Sequence, residues 1–172
     1  SIPVDALDLP VGLTRTEAFV RRLGEIFGAE ETATRVIEAG ARDAVRATQR
    51  HVMRFTSGRS ASVVLDPFLA AAVVDLCGDM GIEVVEAVGL RRKGTALPGF
   101  QIVDPDVRPD LALAPTSAGW IRGRNHVPMG YPNYARHPIL PRPFFGFVGF
   151  KHLVEAISDA VLDEEVRASF EP

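Results

Sequence analysis

Arg136 and His137 form the adjacent pair in this chain whose chemistry is most directly usable. A guanidinium presents several donors to an oxyanion or an acidic cofactor group, and an imidazole can donate, accept or ligate. The pair lies in Pro128–Phe150, where glycine, proline and aromatic rings, Tyr134 among them, follow an apolar run and precede an expected helix. An open α/β sheet places a ligand or a partner surface at such a position. A purely structural reading also stands, with Arg136 holding the loop by hydrogen bonds and His137 at a domain contact. Thr116 and Ser117 are a second candidate, since hydroxyls and free amides at a helix start after a strand can hold an anion; simple capping is the default reading for them.

The remaining chemistry is sparser. His126 and His152 join a site only if the fold brings their loops together, and four scattered histidines without a close carboxylate pair make a weak metal signal. Ser57-Gly58-Arg59-Ser60 precedes a strand and lacks the Gly-Lys-Ser/Thr of a phosphate loop, so an ordinary turn is expected. Cys77, the single cysteine, lies in an apolar run with no basic neighbour to stabilise a thiolate. It cannot form an intramolecular disulfide, and a reducing compartment is expected. Tyr131, Tyr134, Phe144, Phe145, Phe147 and Phe150 concentrate aromatic surface in a way that favours an interface over a pure core. Trp120 fits either.

These residues need elements to position them. A helix is expected after Pro10-Val11-Gly12-Leu13, capped by Thr14 or Thr16 and closed by Gly28. A second helix, about Glu30 to His51, places Val36, Ile37, Ala41, Ala44, Val45 and Thr48 on one face and Arg42, Asp43, Arg46 and Arg50 largely on the other. Gly40 weakens its middle by about 1 kcal/mol against alanine, which points to close packing or a bend. Ala61–Leu65, Phe68–Met80 and Ile82–Val88 then read as a βαβ unit, whose right-handed crossover implies parallel strands. Further along come a short strand at Phe100–Val103, a buried strand at Leu111–Ala114, an extended segment from Val127, and a last helix from near Phe147 through Val161. The expected fold is a three-layer, Rossmann-like α/β domain with a mostly parallel sheet: residues 1–56 form an N-terminal helical part and 57–172 the α/β core of one domain.

The 172 residues match one domain, and a chain of this size buries roughly 70% of its extended surface without needing crosslinks. A net charge of −3 provides no field for nucleic acid, and Arg91, Arg92 and Lys93 make only a short basic run. No apolar stretch approaches a membrane span and no signal pattern opens the chain, so a cytoplasmic protein with no membrane partner is expected. The first residue is Ser1, which raises the expectation of processing, a tag remnant or a domain cut from a longer multi-domain protein.

Taken in order, the motifs resemble the C-terminal Rossmann-like domain of the nitrogenase component 1 superfamily, in its beta-subunit and cofactor-scaffold branches. Pro10-Val11-Gly12-Leu13 with Thr16 and Phe19 resembles the family's proline-glycine turn into a helix. Asp66-Pro67 resembles its Gly-Asp-Pro turn, with Leu65 in place of glycine, and Pro109-Asp110-Leu111 with Ser117 resembles its next strand and Asn-Ser turn, with Thr116 in place of asparagine. Gly130-Tyr131-Pro132-Asn133-Tyr134-Ala135-Arg136-His137 resembles a Gly-Phe-Pro-Ile-Phe-Asp-Arg-His-His signature, with Ala135 for aspartate and Pro138 for the second histidine. Gly146-Phe147-Val148-Gly149 follows as in the family.

The resemblance implies a domain of a multi-domain oxidoreductase, or of a cofactor-assembly scaffold, connected with nitrogen fixation. In it this domain forms cleft walls and subunit contacts, with Thr116, Ser117, Tyr134, Arg136 and His137 as candidates at a cofactor or interface. Iron-sulfur or molybdenum-iron clusters are held chiefly by cysteines of another domain, and an ATP-dependent iron-sulfur protein delivers the electrons. This chain has no counterpart of that cysteine-rich domain, so by itself it is expected to bind no cofactor and to turn nothing over. A non-catalytic binding or assembly protein, and a domain of a nitrogenase-like tetrapyrrole reductase, are the alternatives.

Overall fold

A computed structural model describes residues 7–89, 108–116, 125–130 and 143–170. Two helices open the chain, α1 (Gly12–Phe27) and α2 (Glu30–His51), and the second continues as one π-helical segment, Val52–Thr56. Then come β1 (Ser60–Leu65), α3 (Pro67–Asp79), β2 (Glu83–Gly89), β3 (Leu111–Ala114), β4 (Asn125–Pro128) and α4 (Gly146–Phe170). The expected strand at Phe100–Val103 lies outside the described residues.

The four strands form one sheet in the order β2-β1-β3-β4, every pairing parallel. Parallel strands need both faces covered, and the strand residues comply: every residue of β3 and all of β1 after Ser60 are buried. One face, carrying Ala61, Val63, Leu65, Leu111, Leu113 and Val127, shares a single core with the inward sides of α3 and α4. β2 carries one extra residue where Ala61 pairs with Val84 and Ser62 with Glu86. On the second face the Ser62 hydroxyl donates to Glu86 Oε2 at 2.9 Å.

Several expectations about the helical part change. α1 is not capped by Thr14 or Thr16. The Asp79 carboxylate, from the end of α3, accepts from the Leu13 and Thr14 amides at 2.6 and 3.2 Å and from the Thr14 hydroxyl at 2.6 Å. The Thr16 hydroxyl turns inward and donates to the carbonyls of Gly12 and Pro10. A cap 65 residues away is invisible to local pattern reading.

In α2 the buried stripe is Ala33, Ile37, Ala44 and Thr48, whereas Val36 and Val45 are 48% and 44% exposed. Small residues win that face because neighbouring helices approach closely. A Cβ on Gly40 would stand 2.2 Å from the Phe147 ring of α4, and one on Gly24 of α1 would stand 2.6 Å from Ala33. Gly40 is therefore a packing glycine. Phe147 and Phe150 likewise belong to α4 and the core, so those two aromatics serve packing, while Phe145 stays 49% exposed.

Candidate functional site at the carboxyl edge of the sheet

Because all four strands run the same way, their carboxyl ends share one edge. β1 connects to β2 on one side, and the chain then crosses back past β1 to β3, so the direction of winding reverses between β1 and β3. Neighbouring connections part at such a point and leave a crevice, the usual ligand position in open α/β sheets. The described residues at this edge are Leu65-Asp66-Pro67 after β1, Ala114-Pro115-Thr116 after β3, and Met129-Gly130 after β4.

Each exit has a local cause. Asp66 caps α3 by accepting from the Phe68 amide at 3.2 Å, and Pro67 occupies the first helical position, where a missing N–H costs nothing. Beyond β4 the Met129 amide donates to the Ala114 carbonyl at 3.0 Å. Gly130 then adopts φ +76°, and a Cβ there would stand 2.9 Å from Leu65 Cδ2. Since β3 separates β4 from β1, that contact carries the chain leaving β4 back over the end of β3 toward the end of β1. Only glycine combines that backbone with that approach. The rim also bears Phe68, 80% exposed at the first turn of α3.

The opposite edge is closed by a polar clasp. Asp110 Oδ2 accepts from the Ser60 amide at 2.9 Å and the Ser60 hydroxyl at 3.0 Å, and the Asp110 amide donates to the same hydroxyl at 3.1 Å. The Asp110 carbonyl accepts from the Asn125 amide and side chain at 3.1 and 3.2 Å. One residue thus sets the starts of β1, β3 and β4, an organising role that its reading as a strand opener did not include. The Ser57–Ser60 segment lies at this edge too and behaves as a turn, with Gly58 at φ +77° donating its amide to the Gly81 carbonyl at 2.8 Å.

Of the five expected site residues, Thr116 alone is among the described residues. It is half-buried in the turn after β3, beside the reversal point. Ser117, Tyr134, Arg136 and His137 lie outside the described residues, as do Tyr131 and Trp120. The two outlying histidines are not on loops: His126 is in β4, its Nε2 3.0 Å from the Ala114 carbonyl, and His152 is in α4 with a buried Nδ1 that has no hydrogen-bond partner among the described residues. Among the described residues no three His, Cys, Asp or Glu side chains gather into a metal-binding group. Burial pushes the Cys77 thiol up to about 12, far from the thiolate a cluster requires. The described residues therefore do not fit a redox metal cluster by themselves. No helix among them is long and apolar enough to cross a membrane.

The model of the nitrogenase component 1 type oxidoreductases matches residues 1–97, more than half of the chain. The chain belongs to the nitrogenase component 1 type oxidoreductase family. No curated protein matches it. Among solved structures, Nitrogenase Cp1 at pH 6.5 is similar with a TM-score of 0.73 and 22% identity, over 96% of this chain and 41% of that one. Nitrogenase Cp1 at pH 5 is similar with a TM-score of 0.64 and 12% identity, over 95% of this chain and 42% of that one. These likenesses establish the Rossmann-like α/β fold across nearly the whole chain, and the chain spans about two-fifths of either structure's length. The family match ends before the Gly130–His137 signature.

Proposed function

We propose that this domain works inside a larger nitrogenase component 1-type oxidoreductase or its cofactor-assembly relative, as one part of a multi-domain protein. It supplies cleft walls and subunit contacts there, while cluster ligands and electron entry come from other domains or subunits. The supporting observation is one of extent: 96% of the chain matches only 41% of a nitrogenase chain. The chemistry of the single cysteine is consistent with this, since burial holds its thiol protonated. In this reading the sheet edge at the reversal point between β1 and β3 is the wall, Thr116 stands beside it, and Ser117, Tyr134, Arg136 and His137 are the further cofactor or interface candidates. Any iron-sulfur or molybdenum-iron cluster belongs to the parent assembly, and an ATP-dependent iron-sulfur protein is its electron donor.

Native mass spectrometry under anaerobic conditions, on protein purified from its source with partners retained and read together with metal analysis, tests the reading. A longer parent polypeptide or a metal-bearing complex is the expected result. A free, metal-less chain of 18.6 kDa overturns it and assigns the protein to binding or assembly without redox chemistry.

A further inference from the structure

The outward faces of α2 and α4 carry opposite charge in the same pattern. On α2, Arg42, Arg46 and Arg50 recur every fourth residue and all are exposed; on α4, Glu155, Asp159 and Asp163 do the same. Among the described residues none of these six forms an ion pair. The two helices are instead bridged by Lys151–Asp43 at 2.7 Å, and the segment after α2 reaches α4 through Arg59–Glu165 at 3.0 Å. Like charges four apart on a helix repel one another, so each row gains from an opposite row laid against it. Exposed apolar side chains accompany the charges: Met53, 80% exposed, just past α2, and Leu162 and Val166, 41% and 47% exposed, on α4.

The geometry decides what such an opposite row can be. The cross-links join residues 108 and 106 apart, with both numbers rising together, so α2 and α4 lie side by side and run in the same direction. We propose that a second copy of this chain docks on this face across a two-fold axis parallel to the two helices, laying α2 of each copy against α4 of the other. Such an axis exchanges the positions of the helices while keeping their direction and height, so the two contacts are identical and each pairs an arginine row with a carboxylate row. An axis at right angles to the helices would set α2 against α2 and α4 against α4, with like charges apposed. At an offset of about 107 residues, Glu155 comes level with the gap between Arg46 and Arg50, and Asp159 falls just past Arg50. Exposed ion pairs contribute little singly, and in this arrangement Met53 of one copy comes near the level of Leu162 of the other, so that apolar burial adds to the charge pairing.

The inference stands on this surface and is independent of the family reading. Sedimentation of the 172-residue chain tests it, with a monomer–dimer equilibrium expected that weakens as salt rises. Arg46→Glu with Arg50→Glu, and separately Glu155→Arg with Asp159→Arg, each weaken self-association by at least about tenfold, with the fold checked by circular dichroism. Mixing the two variants restores a dimer, because one then has two acidic rows and the other two basic rows. A chain that stays monomeric, a dimer indifferent to both reversals, or variants that fail to associate when mixed would each overturn the proposal. Monomeric wild type that binds polyglutamate overturns it as well, and assigns the arginine row to an acidic partner.

Discussion

Cys77 shows how far one residue's surroundings set its chemistry. It is fully buried in the core, and its thiol is pushed from 9.0 to about 12 by burial alone. The folded protein therefore keeps the proton that the unfolded chain loses above pH 9, so stability is intact below that pH and falls as pH rises toward 12. Iodoacetamide at neutral pH is expected to leave the native thiol unmodified and to label it fully in denaturant; rapid labelling of native protein would contradict the burial argument. Asp79 makes the complementary point for a charged residue. Asp79→Ala strips the α1 amides of their cap, and a loss of about 1–2 kcal/mol in urea unfolding is expected. An unchanged midpoint would mean that water replaces the carboxylate at no cost. The buried thiol was legible from its apolar neighbours in the sequence. The cap was not, because its acceptor arrives from another helix.

At the scale of elements, helix contacts explain what intrinsic propensity leaves open. Gly40→Ala in an isolated helix is worth about 1 kcal/mol of stabilisation. Here the added Cβ meets the Phe147 ring, so the same change is expected to destabilise by about 1–3 kcal/mol through overpacking. Phe147→Leu in the same chain should recover part of that loss, a non-additivity that a double-mutant cycle in urea measures directly. Strictly additive effects would show that the two residues do not meet. The βαβ unit, the buried β3 and the start of the last helix were readable from hydrophobic pattern to within a few residues, since each is set by its own period; the last helix runs on past Val161 to Phe170. The inward face of α2 was misread at Val36 and Val45, because periodicity cannot tell a stripe of large apolar side chains from one of small residues chosen for close approach.

For the whole molecule, the expectation is that the isolated chain, demonstrably free of metal, shows no redox turnover with an artificial electron donor. Turnover by such protein would remove the domain-of-an-oxidoreductase reading. Order and composition alone pointed to an α/β fold with parallel strands, a single buried thiol and no basic field, and the order and spacing of the turns carried the resemblance to the family that the family model matches. Those properties follow from interactions between near neighbours: caps, turns, and the alternation of apolar residues along one element. Tertiary structure alone decided the strand order β2-β1-β3-β4, and with it the reversal point between β1 and β3. It also set the Asp79 cap, the Asp110 clasp, and the side-by-side parallel course of α2 and α4 that turns two ordinary charged faces into complementary ones. Each of these joins residues far apart in the chain, and no local pattern carries the information about which distant partner packing will bring within reach.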